Sequence, residues 1–337
     1  MPKILGFRFK RAHLFIGWST GCLVGLACAK KGMYLNLTAV IAIGILSVFL
    51  NLRKAVGSII FVVLFGISLG IWRGAHYQHL LNLYNPLYKH KLTLEASVLG
   101  DATYGKTKQL SSDVSNIRTA DGTKLPGKVQ VSGFGLNGIY YGDRVKITGK
   151  LSTSRGASQD RISYAQIKLV RHHPSYIGEI RRRFAVGLQN ALPEPINSFA
   201  LGLLVGQRAT LPQDIKDSLL MVGLTHIIAV SGCNLTIILR SSKKLLAAQS
   251  KRLSTILCYS LILIFILITG FSASIVRAAI ISSLTIYASY CGREFKPVLL
   301  ILIVAAGTAL WNPVYLWSDA GWYLSFLAFA GVMILSP

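Results

Sequence analysis

Seven residues able to hydrogen-bond, carry charge or open a backbone stand inside runs otherwise suited to hydrocarbon. His226, Ser231, Gly232, Asn234 and Thr236 interrupt GLTHIIAVSGCNLTII (residues 223–238), and Ser274 and Arg277 interrupt GFSASIVRAAIISSL (270–284). Lipid offers such groups no partner, so they must face protein or a water-filled path. On a helix, His226, Ala229, Cys233, Thr236 and Arg240 share a face, while Ser231, Asn234 or Leu235, and Ile238 fall on a neighbouring one. A break at Ser231 and Gly232 would unwind the helix and turn backbone groups toward a cavity. The chemistry this allows is the lining of a path for a polar, anionic cargo. The alternative is a set of interhelical hydrogen bonds of about 1 kcal/mol each that hold a bundle together. Arg277 lies near the outer end of its run, within snorkelling distance. Its natural partners are an anion, helix C-terminal carbonyls or Asp319 in WNPVYLWSDAGW.

Catalysis fits these residues poorly. A serine and histidine pair from Ser231 and His226 would define an intramembrane serine hydrolase. But AVSGC is not G-x-S-x-G, and a spacing of five puts the two side chains on different helical faces. The chain holds no H-x-H-x-D, P-loop or H-E-x-x-H pattern, so the expectation is transport, without a nuclease or ATPase site, cofactor or metal. Cys22, Cys28, Cys233, Cys258 and Cys291 all fall in or at the ends of apolar runs and none has C-x-x-C spacing. This argues against a disulfide framework and a zinc site.

The elements that must position the polar residues are membrane spans. Apolar residues make up 52% of the chain and charged ones 14%, with a mean hydropathy of +0.52; this is a membrane balance. About eight runs suit a bilayer near 30 Å thick, at 14–29, 35–52, 55–72, 218–239, 253–269, 275–291, 297–310 and 322–335. The basic start MPKILGFRFKRAH precedes no small-residue cleavage pattern, so the first run is expected to be retained. A formal net charge of +24 becomes legible by location. With a cytoplasmic N-terminus, the basic residues before the first run, Arg53 and Lys54, the group from Arg240 to Arg252, and Arg293 and Lys296 all lie inside, and only Lys30 and Lys31 do not.

The same threading places a long insert outside. Its short alternating runs, KLTLEASVLGD, KQLSSDVSNIRT, GKVQVSGF, GDRVKITGKL and SYAQIKLV, are separated by turn-rich segments and predict five strands, a small OB-like barrel or another small β fold. From 73 to 195 the insert carries 18 lysines and arginines against 8 acids, over a length that the positive-inside rule does not govern. Lys106, Lys108, Lys128, Arg144, Lys146 and Lys150, with Tyr140 and Tyr141 among several aromatics, are the candidates for phosphate and base contacts of a single strand. Lysines that keep a small domain soluble beside anionic headgroups are the alternative. SYIGEIRRRFAVGLQNALPEP predicts an interfacial helix with Ile177, Ile180, Phe184 and Leu188 on one face and Arg181, Arg182 and Arg183 to the other side. Gly17, Gly21 and Gly25, and separately Gly66 and Gly70, predict close helix packing.

Several of these motifs, in this order, resemble the ComEC family of competence proteins. FALGLLVGQRATLPQDIKDSLLMVGLTHIIAVSG carries Gly202, Gly206 and Arg208 and the His-x-x-Ala-Val-Ser-Gly core; GFSASIVRAAIISSL places Arg277 at the family arginine. NPVYLWSDAGWYLSFLAFAGVMIL carries Asn312, Pro313 and Ser325. The resemblance implies a multi-pass channel of the bacterial cytoplasmic (inner) membrane that passes single-stranded DNA inward during transformation. The expected regions are a three-span part (1–72), an external OB-like domain with linker (73–172) and a competence-type membrane domain (173–337). Implied partners are single-stranded DNA, membrane lipid, a DNA receptor, a cytoplasmic translocase, and a separate nuclease or further channel polypeptide. Cys233 and Asn234 stand where many members have Leu-His. The chain ends inside what the family suggests is a longer bundle and lacks the metallo-β-lactamase-like domain, so a fragment or a two-polypeptide channel is expected. A transporter of a small anion or lipid-linked substrate, with the β domain as lid, remains the competing reading.

Overall fold

A computed structural model of the chain describes residues 11–52, 58–88, 90–99, 103–104, 110–119, 122–134, 142–154, 158–172, 176–205, 213–222, 232–245, 250–270, 272–292 and 296–335. Helices α1 (Arg11–Lys30), α2 (Leu37–Leu52) and α3 (Ser58–Leu81) come first. Strands follow: β1 (Lys91–Val98), β2 (Thr103–Tyr104), β3 (Leu110–Thr119), β4 (Lys124–Leu125), β5 (Val129–Phe134), β6 (Arg144–Thr153) and β7 (Asp160–Arg171). Then come α4 (Tyr176–Ala191), α5 (Ile196–Val205), α6 (Gln213–Met221), α7 (Gly232–Leu245), α8 (Lys251–Thr269) and α9 (Ala273–Tyr290), and finally α10 (Pro297–Trp311), α11 (Val314–Ser318) and α12 (Ala320–Leu335). Contacts divide the chain into two units, one of 1–83 and 293–337 with 155–157, the other of 84–154 and 158–292.

In the first unit α1 and α3 run parallel with backbones in contact. A Cβ at Gly21 would lie 2.5 Å from the Val63 carbonyl, and one at Gly25, Gly66 or Gly70 would run into the carbonyl of Ile67, Trp18 or Cys22. Without side chains at these crossings, dispersion between the two backbones supplies the association that lipid cannot. Parallel neighbours require α2 to return between them, so the three apolar helices reverse direction twice. The C-terminal ends of α1 and α10 gather at the level of Arg73 and Gly74 in α3. Arg73 donates to the carbonyls of Leu310 (3.0 Å) and Trp311 (2.9 Å), satisfying the open end of α10. Trp317 Nε1 donates to the Leu26 carbonyl at 3.0 Å, and Lys30 Nζ to the Trp317 carbonyl at 2.7 Å.

In the second unit the long strands close a five-stranded barrel. β1 pairs with β6, β6 with β7, β7 with β5, β5 with β3, and β3 with β1; only the β5–β7 pair is parallel. Numbered among the long strands alone, the ring runs 1-2-3-5-4-1, and β2 and β4 extend the edge of β3. Alternation sends Val145, Ile147 and Leu151 of β6 inward with Ile162 and Ile167 of β7, Val129 and Val131 of β5 and Leu94 of β1. Tyr84, fully buried in the 3₁₀ turn Asn82–Leu87, joins this core and donates to the Pro126 carbonyl at 2.6 Å.

Four described helical stretches are long and apolar enough to cross a membrane, Ala12–Lys30, Ile59–Leu87, Lys251–Thr269 and Ala273–Tyr290, and three apolar helices are shorter, Leu37–Leu50, Pro297–Trp311 and Ala320–Gly331. Of the run expected to cross at 218–239, 223–231 lie outside the described residues; α6 ends at Met221 with Val222 in a turn, and α7 spans Gly232–Leu245, carrying Arg240 and Lys243 in its second half. The amphipathic helix α4 departs from expectation. Ile180 is 52% exposed, and Arg181 turns inward to donate to the carbonyls of Ile268 (2.8 Å) and Thr269 (3.2 Å) at the C-terminus of α8. The attraction of a guanidinium for open helix carbonyls draws Arg181 off its expected side, while Phe184 and Leu188 of the apolar face pack with Ala185, Leu201 and Ile268.

Candidate functional site

The polar residues of the second apolar motif sit on a three-helix assembly. Leu235 and Leu239 of α7 pack with Cys258, Ile262 and Phe265 of α8 and with Ile275, Ala279 and Ile286 of α9. Ser272 caps α9 by accepting the Ile275 N–H at 3.4 Å, and Ser250 caps α8 by accepting that of Leu253 at 3.3 Å. α7 begins against α9: a Cβ on Gly232 would meet the Ala278 methyl at 2.6 Å, so only glycine lets the first turn of α7 approach this closely. The contact places the start of α7 beside the Ser274 and Arg277 turns of α9.

Arg277 is 4% exposed. At 100° per residue it lies opposite Ile275, Ala279 and Ile286, so its burial is not burial in the α7–α8–α9 core. A guanidinium held in an apolar spanning helix is expensive to desolvate and marks a functional position. Ser274, half-buried, lies within one helical turn on its N-terminal side; Asn234 of α7 is half-buried as well. Thr236 is exposed and donates to the Gly232 carbonyl at 2.7 Å, closing the first turn of α7 rather than facing α9. His226 and Ser231 lie outside the described residues.

The barrel candidates separate in space. Arg144, Lys146 and Lys150 alternate with buried residues along β6 and all point outward, exposed. Lys128, before β5, is engaged instead with Asp113 (3.4 Å), which also accepts from Ser158 at 3.2 Å, so it contributes little free charge. Lys106, Lys108, Tyr140 and Tyr141 lie outside the described residues. On α4 the Glu179 carboxylate accepts from Arg182 and Arg183, each at 2.9 Å, and these hydrogen bonds draw its pKa down to about 2.

The remaining motif residues have local structural roles. Gly202 is buried in α5. Asn312 ends α10 through its N–H to the Thr308 carbonyl (3.0 Å) and accepts the Val314 N–H on its side chain (3.2 Å), while Pro313 stands at the start of α11. Ser325 donates to the Gly321 carbonyl within α12 at 2.7 Å. Gly206 and Arg208 lie outside the described residues.

The apolar helices and the barrel between them in sequence are compatible with a helical membrane protein that carries a β domain. Residues 203–337 match the family model described as Competence protein, which bears out the resemblance to competence proteins over that segment. No curated protein and no solved structure matches the chain.

Proposed function

We propose that the protein is a ComEC-like channel component of the bacterial cytoplasmic membrane that conducts single-stranded DNA inward, with its N-terminus in the cytoplasm and its β domain outside. The observation that carries the reading is Arg277, buried in an apolar helix within the segment that matches competence proteins. A phosphate crossing hydrocarbon must exchange bulk water for donors or confined water, and a guanidinium meets that need with five N–H groups in one plane. In this reading Asn234 and Ser274, both half-buried, supply neutral donors and acceptors beside it. The protein's part is then to solvate and screen charge, with no bond made or broken.

The barrel supports this reading through its connectivity. A five-stranded ring in the order 1-2-3-5-4-1, closed by one parallel pair, is the arrangement of an OB barrel, a fold whose surfaces serve oligonucleotide recognition. The parallel α1 and α3 support the orientation, because their N-terminal ends fall on one side and each is preceded in the sequence by lysine and arginine. α1–α3, α8–α10 and α12 fit this threading as crossings, and it requires one further crossing between the barrel and Arg240.

Replacing Arg277 by Leu tests the channel reading. Transformation should fall to background while the protein remains in the membrane at its normal level; wild-type transformation in R277L would overturn the assignment.

A further inference from the structure

The barrel presents a continuous basic track that only the strand register reveals. On the outer face of β1, β6 and β7, like charges stand directly opposite one another: Lys91 beside Lys150 across β1–β6, and Lys146 beside Lys168 and Arg144 beside Arg171 across β6–β7. Arg161, exposed on β7, lies opposite Ser152. All seven cations are exposed, and the one acid on this face is Glu95, opposite Lys146. None of the seven forms an ion pair among the described residues. Like charges directly opposite in an antiparallel pair destabilise a sheet. Three such pairs on one face are a standing cost that an anionic partner would offset.

A single aromatic interrupts the track. Besides a register shift at its end, where Arg144 pairs with Arg171 but Val145 with Leu169, β7 carries an extra residue relative to both of its neighbours, since Lys150 pairs with Ser163 but Thr148 with Gln166, and Val131 pairs with Ile162 but Gly133 with Ala165. The extra residue is Tyr164, in the left-handed region at φ 55° and 78% exposed. A non-glycine residue there is strained, the more so when bulky. The flanking strands accommodate the bulge with glycine: a Cβ on Gly133 would run into the Ala165 carbonyl, and one on Gly149 would meet Ile162 at 2.5 Å. Bulges re-aim side chains, and this one holds a ring out among the cations.

We propose that this outer face is the docking track for a single-stranded nucleic-acid segment, its phosphates held by Lys91, Arg144, Lys146, Lys150, Lys168 and Arg171 and one base stacked on Tyr164. The proposal rests on the DNA-uptake reading and names the site of first contact. Cations on alternate residues of a strand recur about every 6.8 Å, and Thr93, Ser97, Thr148, Ser152 and Gln166 lie between them as neutral hydrogen-bonding groups. Cations for phosphates and a ring for a base are the two components of sequence-tolerant single-strand binding. An acyl-inserting lipid surface would need exposed apolar bulk. Val170 and Tyr164 are the large side chains of that kind among the exposed residues of these three strands.

The test is binding of a fluorescent oligothymidylate to the full chain in phosphatidylcholine nanodiscs. Lys146→Gln with Lys168→Gln should weaken binding about tenfold at low salt. The log–log salt dependence should become shallower by about 1.4, two contacts at about 0.7 each. Removing a like-charge pair relieves repulsion, so this variant should fold at least as well as the parent. Tyr164→Ala should cost about tenfold, a stacked base being worth about 1–3 kcal/mol, and Tyr164→Phe should retain binding. Lys124→Gln, on β4, should have no effect. Parental affinity in the double variant overturns the track. If that variant also transforms normally while R277L does not, the uptake reading survives and the track alone fails. An unsubstituted protein that ignores the oligonucleotide but captures phosphatidylglycerol vesicles would make this a lipid-facing surface and would likewise overturn the proposal.

Discussion

Asp160 opens β7 with its carboxyl buried at one end of the barrel. Tyr88 donates to Oδ1 at 2.7 Å, and Oδ2 is buried with no partner among the described residues. Desolvation outweighs the hydrogen bond from Tyr88, so burial pushes the carboxyl pKa above its ordinary value. The sign of the linkage follows. Between the ordinary carboxylate pKa and the raised folded one, the folded protein holds a proton that the unfolded chain has released. Stability contributed by this group is full below the ordinary value and is lost as pH rises through the folded one. Asp160→Asn keeps an oxygen for Tyr88 and removes the titration. Its thermal loss of β-sheet circular dichroism should therefore shift upward near neutral pH and vary less between pH 4 and 8 than that of the parent. A variant with the parent's pH dependence would show that Asp160 does not titrate in this window.

At the scale of elements, the α1–α3 pair depends on absent side chains. Gly25→Val or Gly66→Val would drive a side chain into the opposing backbone, and the helices would have to separate or tilt. An overpacked contact of this kind costs about 1–3 kcal/mol. Thermal stability in mild detergent should fall in both variants, while Gly307→Val, in α10 with open space around it, should leave it unchanged. The glycine spacing made this contact legible in sequence, because a four-residue repeat can only line one helical face. Two-residue alternation was equally informative for the long strands. It failed at the start of β7, where Asp160 sits in a run rich in turn residues, and it could not show Tyr164 as a bulge or Lys168 opposite Lys146. Those facts belong to register, which pairs residues from distant strands. The side taken by Arg181 on α4 was misread for a related reason. Arg181 is drawn inward by carbonyls of α8, some 87 residues further along, and no local pattern contains them. Arg277 was legible by type alone, a charge in an apolar run, while its position opposite the α7–α8–α9 core needed the packed helices.

For the whole molecule the decisive quantity is orientation, because a basic barrel serves DNA capture only if it faces the medium. Charge and packing argue the same way. Lysine and arginine precede both α1 and α3, whose N-terminal ends share a level, and a cation group follows Leu239 in the second half of α7. If these groups are cytoplasmic, β6 must be external and the exposed side of α7 internal. Cysteine accessibility tests this on two exposed serines away from helix caps, Ser152 at the end of β6, a neutral neighbour of the basic track, and Ser241 on α7. In a background where the five native cysteines are replaced, a membrane-impermeant maleimide added to cells with an opened outer layer should label Ser152→Cys. It should label Ser241→Cys only after the cytoplasmic membrane is permeabilised. The reverse pattern would place the barrel in the cytoplasm, where a cation track and an exposed tyrosine would meet a strand only after it had crossed. Capture would then lie in another polypeptide and the barrel would act on the exit side.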